Sequence, residues 1–287
     1  MAETVVVTGA LGNVGSAVVT SLLETDVQIR PVGPNVHALG LAHPDLETRR
    51  LDFWDTSSFA AALAQATKVF LIRPPSISRV GPTLNRFIDA AQEIGVRHVT
   101  FSSVAGADSN RIVPHHRVEA HLRSSAMTWT ALRPGFFAQN IGAAYRSDIV
   151  EASRIYVPAG DGAVAFVDTR DVGSVAARTL TSDEHLHREY HLTGPAAVTF
   201  AEVAAMLSRS LGRSITYQPT NPWSYYRHLR RQGLVVPHAL VQTALHTGLR
   251  RGDARVVTPT VADLLGRPAT SIQDYIADHL HLWRSTG

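Results

Sequence analysis

An α/β fold built on a doubly wound parallel sheet, with a smaller and mostly helical C-terminal lobe, is what this sequence predicts. Three observations carry it. Runs of β-branched and apolar residues alternate with helix-period segments through the first 133 residues, the pattern of strands joined by helical crossovers. Three glycines, Gly9, Gly12 and Gly15, stand between the first such run and the first helical pattern. Beyond Pro134 the strands shorten, and the tail from Trp223 to Trp283 is mostly helical with Gly and Pro breaks.

In chain order, Thr4 to Thr8 reads as a buried strand and Val14 to Leu23 as a helix with one apolar face. Val27 to Val32 is a second strand and Arg49 to Asp52 a short third. Ser57 to Ala66 is an Ala-rich helix opened by a Ser cap. "KVFLI" (68–72) is a strand bounded by Pro74-Pro75, and Pro82 to Ile94 is a helix that Gly95 stops. "VRHVTFSSV" supplies the next strand, His115 to Ser125 a helix, and Trp129 to Leu132 a strand ended by Pro134. Val164 to Val167 and "REYHLTG" are further strands, with helices at Asp171 to Leu180 and Phe200 to Leu211. The predicted division gives residues 1–133 and about 164–182 to the sheet domain, and about 134–163 and 183–287 to a discontinuous lobe. There is no internal repeat and no low-complexity linker.

The glycine spacing has a chemical reason. A tight strand-to-helix turn needs backbone angles that only Gly adopts cheaply. A pyrophosphate must approach that backbone closely and meet the free N–H groups of the helix start. Gly9, Gly12 and Gly15 are therefore read as a dinucleotide-binding loop of the Rossmann type. Such a unit ordinarily ends its second strand with an acid for a ribose diol, or with an Arg for a 2′-phosphate. Here the segment is "VQIRPVGPN", without Asp or Glu. Arg30 is a candidate for the 2′-phosphate and equally a solvent-facing residue. Pro31 within an interior strand removes a ladder donor. Asp52 reads either as a partner of an adenine amino group or as a turn cap.

Composition excludes several classes. The 287 residues are 45% hydrophobic and 18% charged, which suits a folded globular enzyme rather than a disordered chain. Without cysteine there is no disulfide, no thiolate nucleophile and no Cys-based zinc site. The net charge of +3 comes with scattered arginines rather than a basic face, so nucleic acid is not an expected partner. The uncharged runs are too short to span a bilayer and no signal peptide is read, which makes cytoplasm the expected compartment and membrane an unexpected partner. Monomer and homodimer both stay open.

Several stretches together resemble the NmrA-like branch of the atypical short-chain dehydrogenases/reductases: "VTGALGNVGS", "FSSVAGAD", "PHHRVEAHLRSSAMTWTALRPGFFAQN", "PAGDGAVAFVDTRDVGSVAARTL" and "HLTGPAAVTFAEVAAMLSRSLGR". Related members include NAD(P)H-dependent quinone and dye reductases, and redox-sensing regulators that bind dinucleotide without turning it over. The resemblance implies NADP or NAD as cofactor, with NADPH favoured. It implies that Gly9, Leu11, Gly12, Asn13, Val14 and Gly15 hold the pyrophosphate. Asp52 and Phe53 would flank the adenine. Ile72, Arg73 and Pro74 would line the nicotinamide side, with Ser102 and Ser103 below it and Pro134 to Phe137 closing over it, Phe136 included. The resemblance also brings Asn140 near the nicotinamide. From residue type alone, Phe136, Phe137, Asn140, Trp223, Tyr225 and Tyr226 read either as the wall of a cleft for a small aromatic or polyketide-like substrate or as core of the lobe. Two departures stand out: the missing signature at Val32 to Asn35, and the bulk and charge of Arg73.

The superfamily's Tyr-x-x-x-Lys pair is absent. In its place is "PHHRVEAHL", where His115 and Glu119 share a helical face. A Glu bonded to an imidazole sets its tautomer and raises its pKa, so His115 is a candidate acid, with His116 as the competitor and Ser103 as the neighbouring hydroxyl. No metal site is expected, because His116 and His121 point to different sides. Three functions follow. One is an NAD(P)H-dependent reductase of a quinone or other aromatic or conjugated carbonyl. The second is a dinucleotide-sensing regulator, and the third a non-redox isomerase, cyclase or lyase using His and Glu.

Overall fold

The structure, a computed structural model, describes residues 3–284. Contacts divide the chain into two compact units. The first comprises residues 1–134, 169–192 and 260–267; the second comprises 135–168, 193–259 and 268–287. The segments 183–192 and 260–267, predicted for the lobe, belong to the first unit, and 164–168, predicted for the sheet domain, to the second.

The first unit is a seven-stranded, all-parallel sheet. Its strands are β1 (Thr4–Thr8), β2 (Gln28–Gly33), β3 (Arg49–Arg50), β4 (Lys68–Ile72), β5 (His98–Ser102), β6 (Thr128–Pro134) and a last strand Arg188–Leu192. They lie in the order β3-β2-β1-β4-β5-β6 followed by Arg188–Leu192, so the strand order reverses between β1 and β4. The carboxyl ends of those two strands flank the crevice where ligands of such sheets bind. Val5, Val6 and Val7 are wholly buried, as an inner parallel strand covered on both faces requires.

The helices that cover this sheet include α1 (Asn13–Leu22), α2 (Val36–Ala42), α3 (Phe59–Leu63), α4 (Arg86–Ile94) and α5 (Pro114–Ser124). The predicted helix Pro82–Ile94 divides into a wide turn over Gly81–Asn85 and α4, and Gly95 ends it with φ +97°. One helix face meets the sheet through Leu51, Phe53, Phe59, Leu63 and Phe87. On the other, α1 packs against the helix Thr169–Thr181. A Cβ at Gly173 would stand 2.5 Å from the carbonyl carbon of Ala17, so these helices approach closer than any larger residue permits. Pro31 is tolerated because β3 pairs only with Val32 and Gly33. Pro31 pairs in register with Val7 of β1, but no β3 residue stands opposite it on the other side to miss its donor.

The second unit is mostly helical but carries two short strand pairs. Ala163–Val164 runs antiparallel to Val198–Thr199, and Arg154–Ile155 runs parallel to Thr216–Tyr217. Phe200–Leu211 forms the predicted helix, opened by a capping box of Thr199 and Glu202. Its core gathers Tyr145, Phe166, Phe200, Tyr225, Tyr275 and Trp283. Among the described residues no helix is long and apolar enough to cross a membrane.

Candidate functional site

β1 delivers the glycine loop to the crevice. Gly9 has φ +66°, the left-handed region that glycine occupies without strain. Its carbonyl accepts the Gly12 N–H at 2.9 Å and closes the turn. A Cβ on Gly15 would collide with that same carbonyl, so the start of α1 rests directly on the loop. No side chain caps α1 and no acid lies in its first turn. Its leading N–H groups, Asn13 to Gly15, have no intrahelical acceptor, and the helix dipole favours an anion there. Leu11 is half exposed on the rim, while Val14 is buried beneath it.

The adjoining rim is the end of β4. The Ile72 N–H donates to the Thr8 hydroxyl at 2.9 Å, and the Ile72 side chain fills the space where a Cβ on Gly9 would go. Arg73 follows. Its Nε–H donates to His115 Nε2 at 3.2 Å, and its Nη1 donates to the carbonyls of Pro74, Pro75 and Ile77 at 3.0, 3.3 and 2.6 Å. No carboxylate among the described residues pairs with this half-buried guanidinium. Because Nε2 accepts from Arg73, the neutral imidazole carries its proton on Nδ1. That atom is buried without a partner. Burial, and then the charge of Arg73, push His115 down to about 4 against a weaker opposite pull from Glu119. His115 is thus a neutral ring near pH 7, and the expectation of a Glu-raised imidazole acid is corrected.

Glu119 is engaged elsewhere. It accepts from the Ser103 hydroxyl at 2.6 Å, from Arg133 Nε at 3.0 Å and Nη2 at 2.7 Å, and from Arg123 at 2.8 Å. Arg133 also meets Glu189 at 2.8 Å. Burial alone would raise the Glu119 pKa; the bonds from Arg133 and Ser103 and the Arg123 charge hold it below the ordinary value. This is a closed ionic cluster around a carboxylate that is 2% exposed. Ser103, expected as a catalytic hydroxyl, is part of it. His116 bonds the Ala107 carbonyl through Nδ1 at 2.8 Å. Ser102 is buried at the end of β5, paired in register with Ile72, and Pro134 ends β6.

At the other end of the crevice the expected ligands diverge. Arg30 is 4% exposed, with its guanidinium bonded to Glu47 at 2.9 and 3.0 Å and to the Ala64 carbonyl. It lines a cleft with Thr4, Gln28 and Glu47 at the amino edge of β1 and β2, so the reading of Arg30 as a 2′-phosphate ligand is corrected. Asp52 accepts the Trp54 N–H at 3.0 Å, a turn bond, and one of its carboxylate oxygens stays near Arg50 at 3.8 Å. The Phe53 ring is not at the rim; it packs edge-on to Phe87 with centroids 5.3 Å apart. Trp54, 59% exposed, is the aromatic left at this edge.

In the second unit, Phe136 lies edge-on to Phe166 and His246, and Phe137 bridges Val167 through its backbone. Asn140 sits on the short helix Gln139–Gly142. Trp223 stacks on Tyr226 with ring centroids 5.6 Å apart, whereas Tyr225 is core. His246, buried and pushed down to about 4, accepts from the Tyr145 hydroxyl at 2.5 Å, a pair that sequence reading missed. Among the described residues no group of three or more His, Asp or Glu could hold a metal ion.

The chain is similar to several known proteins. The chain is 30% identical to an NAD(P)H azoreductase of Xenophilus azovorans, over 96% of this chain and 97% of that one. It is 31% identical to a (4-alkanoyl-5-oxo-2,5-dihydrofuran-3-yl)methyl phosphate reductase of Streptomyces griseus, over 96% and 97%. The structure of an NADPH-dependent quinone oxidoreductase from Escherichia coli, complexed with NADPH, superposes with a TM-score of 0.87 at 27% identity, covering 97% of this chain and all of that one. Residues 1–261 match the NmrA-like family, and the chain belongs to that family.

Proposed function

We propose that this protein is an NADPH-dependent reductase that passes a hydride to a quinone or another conjugated carbonyl. The observation that carries the reading is the glycine loop: a Cβ on Gly15 has no room, and the uncapped, acid-free start of α1 faces the crevice at the strand-order reversal. That cradle fits a pyrophosphate. Bound there, the dinucleotide supplies the hydride, and the protein positions the acceptor against it. Gly9 to Gly15 hold the pyrophosphate, Asp52 and Trp54 border the adenosine end, and Ile72, Arg73, Ser102 and Pro134 border the nicotinamide end. The azoreductase and quinone reductase relatives support a planar, electron-poor acceptor, which needs little acid–base help.

The non-redox reading rested on His115 or His116 acting with Glu119 as general acid and base. Glu119 is bonded to Ser103, Arg123 and Arg133, His115 to Arg73 and His116 to the Ala107 carbonyl, which disfavours it. Titration of the protein with NADPH and NADH, read by nucleotide fluorescence, tests the proposal, followed by turnover with a quinone panel. Micromolar NADPH binding with quinone-dependent oxidation is expected. No binding of either nucleotide overturns the reading, and binding without any turnover transfers the protein to the sensor class.

A further inference from the structure

On the reductase reading, we infer that Arg73 is the catalytic electrophile of the crevice: its free Nη2 edge receives the oxygen on which negative charge collects as hydride adds, and His115 is the residue that positions it.

Four features of the site combine. Arg73 immediately follows β4, whose last residue touches the first glycine of the loop, so the guanidinium stem rises from the crevice lip itself. Its Nε and Nη1 are held by His115 and three backbone carbonyls, whereas Nη2 makes no hydrogen bond among the described residues. The anchoring partners are all neutral, so the positive charge stays uncompensated in a half-buried setting. Other arginines of the same unit contrast with it: Arg30, Arg123 and Arg133 each meet a carboxylate. A fixed, desolvated and unpaired cation beside a hydride-transfer crevice is built to meet an anion.

His115 completes the device. A protonated imidazole could not accept the Arg73 Nε–H, and it would add a second positive charge at 3.2 Å. The buried, neutral ring keeps the fork oriented, and it does so although Nδ1 is left without a partner. His115 therefore acts through Arg73 and transfers no proton.

The chemistry balances. Hydride brings two electrons and forms a C–H bond at the electrophilic carbon of the acceptor. The displaced π pair moves onto its carbonyl oxygen, giving an enolate held by the Nη2–H donors. For a quinone, one proton then moves from the newly saturated carbon to the second carbonyl oxygen, which restores the aromatic ring as the hydroquinone monoanion. The dinucleotide is oxidised by two electrons and the acceptor reduced by two. A proton from water then discharges the oxygen, while Arg73 keeps its own. The acceptor class this selects is a carbonyl compound whose reduced form is an oxygen anion, in place of the missing Tyr–Lys proton donor.

The test uses the full chain and two readouts. The first is p-nitrophenol bound in the presence of NADP⁺, its ionisation read from the visible phenolate band. The wild type should favour the phenolate, Arg73→Met should abolish that shift, and His115→Phe should diminish it while His115→Gln, which keeps an acceptor, restores it. The second is kinetics at saturating NADPH: Arg73→Met should lower kcat for a quinone by about 100-fold, the scale of losing one oxyanion donor. Should Arg73→Met fail to fold, Arg73→Lys retains the charge without the fork and should still lower kcat at least about 10-fold. A wild type that binds NADPH and reduces quinones yet shows no phenolate shift, or an Arg73 variant with unchanged kcat, overturns this inference and leaves the reductase standing. Failure of NADPH to bind overturns the underlying reading instead.

Discussion

Two ionic clusters share helix α5, and they are built on opposite rules. Around Glu119, four donors from Ser103, Arg123 and Arg133 satisfy one buried carboxylate, and Arg133 meets a second acid at Glu189. Around His115, one turn earlier, a guanidinium has no acid and an imidazole nitrogen has no partner. The closed cluster has no capacity left for a ligand, so its chemistry is structural. The open one holds unspent hydrogen-bonding capacity at the crevice lip, where a ligand can supply what is missing. Charge density on a helix therefore does not locate function; incomplete satisfaction does.

The strongest way to break this contrast is at the closed cluster. Glu119→Ala takes away the carboxylate bonded to both Nε and Nη2 of Arg133, 2% exposed, and leaves it only Glu189 and the more distant Asp108. It should cost about 3 kcal/mol of stability in urea unfolding, the low end for breaking a buried pair. A loss below about 1 kcal/mol would show that Glu119 is not structural and return it to the list of chemical groups. Next in size is acid sensitivity. His98, His115 and His246 are all pushed down to about 4, in each case mainly by burial, from an unfolded value near 6.5. A depressed histidine is neutral in the fold and protonated in the unfolded chain, so stability is complete above pH 6.5 and falls as pH drops toward 4. Each should forfeit roughly 2 kcal/mol by pH 5. Unfolding midpoints measured from pH 8 to 5 should fall, and His98→Gln should flatten the slope; a flat wild-type profile refutes it. Quinone turnover, by contrast, should show no His115 limb between pH 6 and 8.

Much of the fold was legible because it depends on local pattern. The β1 run, the glycine spacing and the Phe200–Leu211 helix with its Thr199 cap each satisfy their rules within a few residues. What escaped depends on contacts distant in sequence. The acid that satisfies Arg133 is on α5, and the only sequence hint was a charge inside the apolar strand "TWTALRP". His115 and Glu119 have the spacing of a bonded pair, but at i,i+4 proximity is only permission. Arg133 and Ser103 outcompeted the imidazole for the carboxylate, and Arg73, 42 residues away, captured the ring. Arg188–Leu192 read as a lobe strand because nothing in its composition shows that it pairs with β6.

The smallest predicted effect sharpens the contrast at a third cluster. Arg30 is Rossmann-like only by its place in the sequence, near the end of the second strand. In the sheet it pairs in register with Val6, three residues and about 10 Å before the strand ends at Gly33. Its guanidinium faces α3 and Glu47, so it is a closed pair like Glu119 and not an open one like Arg73. Glu47 is half exposed, which limits the worth of the ion pair to about 1 kcal/mol. Arg30→Met should therefore lower the unfolding free energy by that amount and leave the ratio of NADPH to NADH affinity within twofold of the wild type. A tenfold collapse of the ratio would mean that Arg30 leaves Glu47 for a 2′-phosphate, and that satisfied clusters in this fold can open on binding. An unchanged ratio keeps the rule intact: only the side chains the fold leaves unsatisfied answer to the ligand.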